Sequence, residues 1–396
     1  MTETTTALRP PAEAVRTPWF ALLTLAFAVF ATVTVEMIPA GLLPAMSAEF
    51  EVSASTVGLL VSLWAVTIIV ASLPVVRLAA RVDRRTLIVA TLGVMAVANV
   101  VTALAPTYEF ALGSRVVAAV AHGVFWSVVM VYATSLVAPG ASGRTVAIVS
   151  AGASGATVAG IPLGTVIGQV ADWRLVFGGL AVALAAVAFV IHRRLPASPA
   201  VARDANGRRL DRSFRAVLAA AIACTLVAAA SFTLFTYIAP YLTDAAGLPS
   251  AWIGPLLLGF GVAGIAGLVI AALTADRWPV ASLLTMTILF AAALATLGLL
   301  PQSTPSVVAA LLVWGLAIGG LPAMLQARML GVASPALRAT ASALMVVFFN
   351  GGIALGATLG GLFDDGPGLV VAAFAAAALG VAAIGAVAAS RMLAGR

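Results

Sequence analysis

Three ionisable side chains in this 396-residue chain sit inside long apolar stretches: Glu36, Arg115 and His122. A charge at mid-bilayer costs about 2.5–3.5 kcal/mol on insertion scales, so a carboxylate kept there faces a cavity or a partner. Glu36 is the one acid inside such a stretch. Two roles are open to it: binding a proton or substrate, or closing a structural ion pair. Arg115 stays charged at any accessible pH and falls at a depth near that of Glu36. It could hold the Glu36 carboxylate ionised or grip an anionic substrate, or its fork could cap free backbone carbonyls. His122 lies two turns from Arg115. Histidine titrates in the physiological range, so His122 is either a proton relay or a neutral ring donating to a carbonyl. No second histidine or acid stands at metal-ligand spacing from it, and neither a metal nor a cofactor is expected.

The elements that carry these residues follow from composition. The chain is 62% hydrophobic and 9% charged, with a mean hydropathy of +1.14. A soluble domain carries about 25% charged residues. A bilayer span needs about 20 consecutive apolar residues, and twelve such stretches can be read along the chain. The first, from Trp19 to Met46, exceeds the apolar core of about 7–15 residues of a cleaved signal peptide. No lipidation signal is read. Cys224, the single cysteine, lies in an apolar stretch and is expected to serve as a small buried hydrophobe. The expected fold is an all-α membrane protein of twelve transmembrane helices, with the lipid bilayer as its partner.

Charge placement orients these spans. All 21 basic residues are arginines. With the N-terminus placed in the cytoplasm, every arginine but Arg115 and Arg174 falls on the cytoplasmic side, as the positive-inside rule demands. Glu49, Glu51, Glu109, Asp172, Asp244, Asp364 and Asp365 fall on the opposite side. The expectation is a multi-pass protein of the cell inner (plasma) membrane with both termini cytoplasmic. The net charge of +7 therefore reports orientation, and no nucleic-acid partner is expected. There are no paired carboxylates, no Cys/His cluster, no nucleophile elbow and no phosphate loop, which argues against an enzyme.

An internal repeat organises the spans. A shift of 196 residues brings Pro44, Gly58, Arg81, Gly160 and Gly164 onto Pro240, Gly254, Arg277, Gly356 and Gly360. The long polar connection, with seven arginines, divides six spans from six. The expected division is an N-terminal six-helix bundle at 1–192, a cytoplasmic linker at 193–215 and a C-terminal six-helix bundle at 216–396. Parallel repeats about an axis normal to the membrane are a known transporter plan, with the site near midplane between them.

Several motifs resemble those of the major facilitator superfamily. The connection after the second span reads Arg77-Leu78-Ala79-Ala80-Arg81-Val82-Asp83-Arg84-Arg85, against a family signature G-x-L-A-D-R-x-G-R-R. It keeps the leucine and the basic positions, and departs at Val76, Asp83 and Ala80. The second repeat has Leu273-Thr274-Ala275-Asp276-Arg277 there. The resemblance implies a cytoplasmic gate at Arg81, Asp83, Arg84, Arg85, Asp276 and Arg277; the alternative is that the arginines only enforce topology. Arg115-Val116-Val117 with His122-Gly123 resembles the family's intramembrane arginine motif. Gly155 through Gly160-Ile161-Pro162-Leu163-Gly164 resembles the fifth-span antiporter motif, and Asp172-Trp173-Arg174 opens the sixth span as in many members. Thr34-Val35-Glu36-Met37 followed by Gly41-Leu42-Leu43-Pro44 resembles the first span of twelve-span drug:proton antiporters, including the sugar and arabinose efflux branch. The implied fold is two pseudo-symmetric six-helix bundles.

Gly160 and Gly164, like Gly352, Gly356 and Gly360, recur every fourth residue and make smooth helix faces. In the resembling fold such helices meet across the two halves, so the faces are expected to slide there or simply to pack. Pro162 removes a backbone donor and invites a bend. Trp64, Trp126, Tyr237, Tyr241, Phe348 and Asn350 are candidate cavity side chains; otherwise they fill the core or face lipid. Proton-coupled export of a small amphipathic drug, sugar derivative or metabolite, by a monomer with protons as the coupling ion, is the leading expectation. Uptake or facilitated diffusion of a sugar or nucleoside, and a transport-inactive sensor, are the alternatives.

Overall fold

The computed structural model describes residues 18–78, 82–137, 142–197, 213–275, 277–334 and 337–394. Among them, twelve helical spans are long and apolar enough to cross a membrane. Four make the first half of the site's framework: α1 (Trp19–Phe50), α2 (Ala54–Leu78), α3 (Arg84–Ala103) and α4 (Tyr108–Ser135). The fifth span is composite: α5 (Ser142–Gly155), a π-helical turn at Ala156–Gly160, and α6 (Ile161–Val170). Then come α7 (Trp173–Arg194), α8 (Phe214–Phe235), the short α9 (Ile238–Pro240), α10 (Ile253–Thr274), α11 (Pro279–Leu299), α12 (Thr304–Val332), α13 (Arg338–Asp364) and α14 (Leu369–Ala394).

Local chemistry sets the ends. The Asp83 side chain accepts the Thr86 amide at 3.0 Å and caps α3. Asp172 caps α7 through the Arg174 amide at 2.8 Å. Both satisfy amides that a helix start leaves without an acceptor. Arg174 then draws three elements together. Its guanidinium donates to the Glu49 carboxylate at 2.7 and 2.9 Å and to the Ala103 and Ala105 carbonyls at 2.9 Å. Glu49 also accepts the Trp173 indole N–H at 2.7 Å.

Packing repeats between the two sets of six spans. In the first set α1 packs on α5 and α6, α2 on α4, and α3 on α7; in the second, α8 packs on α13, α10 on α12, and α11 on α14. Across the sets, α2 meets α13 and α10 meets the π turn and α6. This is the fold of two pseudo-symmetric six-helix bundles expected from the 196-residue repeat.

The glycine faces work within each set and not across it. A Cβ at Gly160, Gly164 or Gly168 would overlap Thr34, Ile38 or Leu42 of α1. One at Gly352 or Gly356 would run into the α8 backbone at Thr225 or Ala229. The expectation that these two faces slide between the halves is corrected accordingly: they seat α1 and α8 inside their own bundles. A Cβ at Gly155 would meet the Phe30 ring at 3.4 Å, an ordinary contact.

Candidate functional site

The site begins with a gap in the hydrogen-bond ladder of α1. Pro39 lies inside the helix and has no N–H, so the carbonyl four residues earlier, that of Val35, loses its helical donor. Arg115 of α4 supplies the missing donor and adds a second bond to the next carbonyl. Its Nη1 lies 2.8 Å from the Val35 carbonyl oxygen and its Nη2 3.0 Å from that of Glu36. The guanidinium carbon sits 4.3 Å from the centroid of the Trp64 ring of α2, a cation–π contact. Arg115 is 2% exposed. Its hydrogen bonds thus go to backbone carbonyls and not to the Glu36 carboxylate, the second of the two geometries open to it in sequence.

The Glu36 carboxylate turns instead to His122, with Oε2 3.3 Å from Nε2. Glu36 is 8% exposed and His122 2%. Among the described residues Glu36 is the one buried carboxylate. The Trp64 and Trp126 rings flank the imidazole edge-on, at centroid distances of 5.4 and 6.2 Å. Three buried polar atoms here have no hydrogen-bond partner: Trp64 Nε1, Arg115 Nε and His122 Nδ1. Buried polar atoms are nearly always satisfied, so these three set the place apart from the rest of the bundle. The constellation comprises one acid, one titratable base, one fixed cation and two indoles. It can take up or release one proton while the guanidinium keeps a constant charge.

The other candidate cavity residues scatter. Tyr241 is buried and donates to the Leu297 carbonyl of α11 at 2.7 Å. Asn350 donates to Val346 O at 3.0 Å, and its Oδ1 has no partner. Phe348 is half-buried, and its carbonyl accepts from Thr225 at 2.9 Å. Cys224 is buried with its Sγ 3.4 Å from Met345 Sδ. None of these contacts reaches Glu36 or His122.

Tyr237 belongs to a closure between the bundles. Its hydroxyl donates to Ala357 O at 3.2 Å and fills the space beside Gly58 of α2 and Gly361 of α13, where a Cβ would collide with it. Along the same faces Ser55 donates to Asp365, and Thr358 to Ser62 at 3.2 Å. Ser55, Gly58 and Ser62 lie at i, i+3 and i+7, one helix face. Thr358 and Gly361 of α13, with Asp365 just past its end, form the matching face. The α10 seam is similar: Gly254 lies against Val166, Gly261 against the π-turn backbone at Thr157 and Val158, and Gln169 donates to Ser250 O at 3.3 Å. The polar contacts of both seams gather at the end of the bundle that carries the α1–α2 connection.

At the opposite end the candidate gate residues make local contacts. Asp83 caps α3, Arg84 is the first residue of that helix, Arg85 donates to Leu195 O at 3.0 Å, and the Arg277 guanidinium lies 4.6 Å from the Trp278 ring centroid. The hydrogen bond from the Thr86 side holds the Asp83 carboxyl below its ordinary pKa, with the charge of Arg85 a smaller cause. Arg81 and Asp276 lie outside the described residues.

Sequence reasoning passed over Pro39 and Ser55, and read Asp365 only as a carboxylate of the non-cytoplasmic side. Pro39 was findable, because a proline three residues after Glu36 frees the Val35 carbonyl by counting alone. Nothing in the sequence pairs Ser55 with Asp365.

A profile of the Major Facilitator Superfamily matches residues 25–357. An uncharacterized MFS-type transporter, YtbD, of Bacillus subtilis is 30% identical over 373 residues, covering 92% of this chain and 93% of the relative. A chloramphenicol efflux pump of Mycobacterium tuberculosis is 32% identical, covering 91% of this chain and 90% of its own. A probable sugar efflux transporter of Mannheimia succiniciproducens is 28% identical, with 93% of each chain covered. Among solved structures, an inward-facing bacterial homolog of the human lysosomal transporter Spinster aligns with a TM-score of 0.68 at 18% identity over 96% of each chain. A peptide transporter, POT, in complex with alafosfalin aligns with a TM-score of 0.74 at 14% identity, over 92% of this chain and 93% of that one.

Proposed function

Because the chain belongs to the major facilitator superfamily, and is therefore a membrane transporter and not an enzyme, we propose that it exports a small amphipathic molecule in exchange for protons. The observation that carries this reading is the buried Glu36–His122 contact at 3.3 Å. An acid and a base at hydrogen-bond distance share one transferable proton. The Arg115 charge beside them makes a second positive charge unfavourable, so an incoming proton and a cationic or polar substrate group compete for the same carboxylate. Arg115 acts by holding the α1 backbone at the carbonyl that Pro39 frees, which aims Glu36 at His122.

The substrate class follows from the walls. Trp64 and Trp126 offer flat apolar area with indole N–H tips, suited to a neutral or weakly charged amphipathic compound. The names of the chloramphenicol and sugar efflux relatives support export. Orientation follows the arginine distribution: both termini are cytoplasmic, the chain lies in the inner membrane, and the α1–α2 end is outside. The seams of Ser55–Asp365 and Tyr237–Gly58 then close the outer side, and alternating access requires them to part. The bundles at 1–192 and 216–396, joined by the linker at 193–215, rock against one another, with the protein acting as a monomer.

The test is proton movement in proteoliposomes on addition of chloramphenicol or members of a sugar panel, wild type against Glu36→Gln. Substrate-triggered proton flux that vanishes in the variant is expected. Equal proton flux in both would remove Glu36 from coupling, and substrate movement without proton flux in the wild type would favour facilitated diffusion.

A further inference from the structure

We propose that the groove between α3 and α4, on the membrane-facing surface, binds one acyl chain of an aminophospholipid, whose ammonium headgroup meets the Glu109 carboxylate. The groove measures about 770 Å³ and is lined by Gly93, Val97, Val101, Phe110, Gly113 and Val117, with Glu109 at its mouth. Its glycines are the first argument. Glycine inside a helix is about 1 kcal/mol less favourable than alanine. At Gly356 close backbone approach accounts for that cost, but a Cβ at Gly93 or Gly113 would meet nothing within 4 Å. Helix packing does not require these two glycines. What they create is the groove.

Depth is the second argument. Glu109 lies in the first turn of α4, at the membrane boundary. From there to Val117 is about 12 Å at 1.5 Å per residue. Half the hydrocarbon thickness is about 15 Å, so the groove runs along most of one leaflet, in the direction of a lipid chain.

Chemistry is the third. The one hydroxyl near the floor, that of Ser114, is already engaged by Thr102 at 2.7 Å and by the Ala111 carbonyl at 2.8 Å. The groove therefore selects hydrocarbon. At its mouth the Thr107 hydroxyl donates to Glu109 Oε2 at 2.6 Å, which fixes the carboxylate in place. Arg174, the cation at the same connection, is taken up by Glu49 and two carbonyls. The charge presented to a headgroup is negative, which complements an ammonium and repels an anionic lipid. The inference needs only the placement of α3 and α4 in the bilayer and stands apart from the transport reading.

The test uses the full chain in nanodiscs of equal phosphatidylethanolamine and phosphatidylglycerol, released for native mass spectrometry. Wild type is expected to retain one phosphatidylethanolamine several-fold over phosphatidylglycerol. Glu109→Gln should bring the two lipids to parity. Gly93→Leu with Gly113→Leu should remove the adduct while an unchanged Tm reports an intact fold. Equal retention of both lipids by wild type, or an unchanged adduct in the filled-groove variant, would overturn the proposal. So would displacement of the lipid by dodecyltrimethylammonium at equal concentration, which would assign the groove to a cationic amphiphile.

Discussion

Replacing Arg115 should cost much less when Pro39 is also replaced. Arg115 donates two hydrogen bonds, to Val35 O at 2.8 Å and Glu36 O at 3.0 Å. A hydrogen bond to a charged group contributes about 1.5–3 kcal/mol, so Arg115→Met should destabilise by about 3–6 kcal/mol from these two alone. Pro39→Ala restores an amide that can bond the Val35 carbonyl within the helix. In that background the Val35 carbonyl keeps a helical donor when Arg115 is lost, so the cost of Arg115→Met should fall by about 1.5–3 kcal/mol. The lost contact with Trp64 and the altered surroundings of Glu36 occur in both backgrounds and cancel in the double-mutant cycle. The assay is reversible denaturation of the four proteins in one detergent. An equal cost of Arg115→Met in both backgrounds would refute the assignment of Arg115 to the carbonyl freed by Pro39.

Two further outcomes follow from the seams and the caps. Gly58→Ala should expel the Tyr237 hydroxyl, whose place a Cβ would take, and open the α1–α2 end; a cysteine placed at Ser62 should then react several-fold faster with an impermeant maleimide, and an unchanged rate would deny the closure. Asp83 has a depressed pKa because it accepts from Thr86, so its capping is complete above the ordinary aspartate range and is lost as pH falls through the lowered folded value. Asp83→Asn should leave neutral-pH stability nearly unchanged and flatten the acid limb of the Tm profile, whereas an unaltered limb would discount this cap.

The span count and the repeat were legible because bilayer burial demands long apolar runs, and because Pro44, Gly58 and Gly160 recur at one constant offset. The exceptional positions of Glu36, Arg115 and His122 were legible for the same reason, since charge inside such a run is rare. Partner choice was less so. The Arg115 fork reaches the α1 backbone because Pro39 leaves the Val35 carbonyl without a helical donor, and electrostatics alone would have sent it to the Glu36 carboxylate. The glycine faces showed that helices approach closely, but a four-residue period does not say which helix approaches; that is set by the bundle, where α5 and α6 lie on α1, and α13 on α8. Tyr237 read as a cavity residue from its type. Its seat against Gly58 and Gly361 joins positions far apart in the chain, which local pattern cannot relate.

The central claim is that the Glu36 carboxylate carries the proton and Arg115 does not. It is tested most directly by comparing two modes of transport in Glu36→Gln proteoliposomes, with a substrate found by the flux screen. Gradient-driven accumulation should be abolished, while substrate-for-substrate counterflow, which needs no net proton transfer, should persist near the wild-type rate. Accumulation driven by a pH gradient at the wild-type level in this variant would contradict the account.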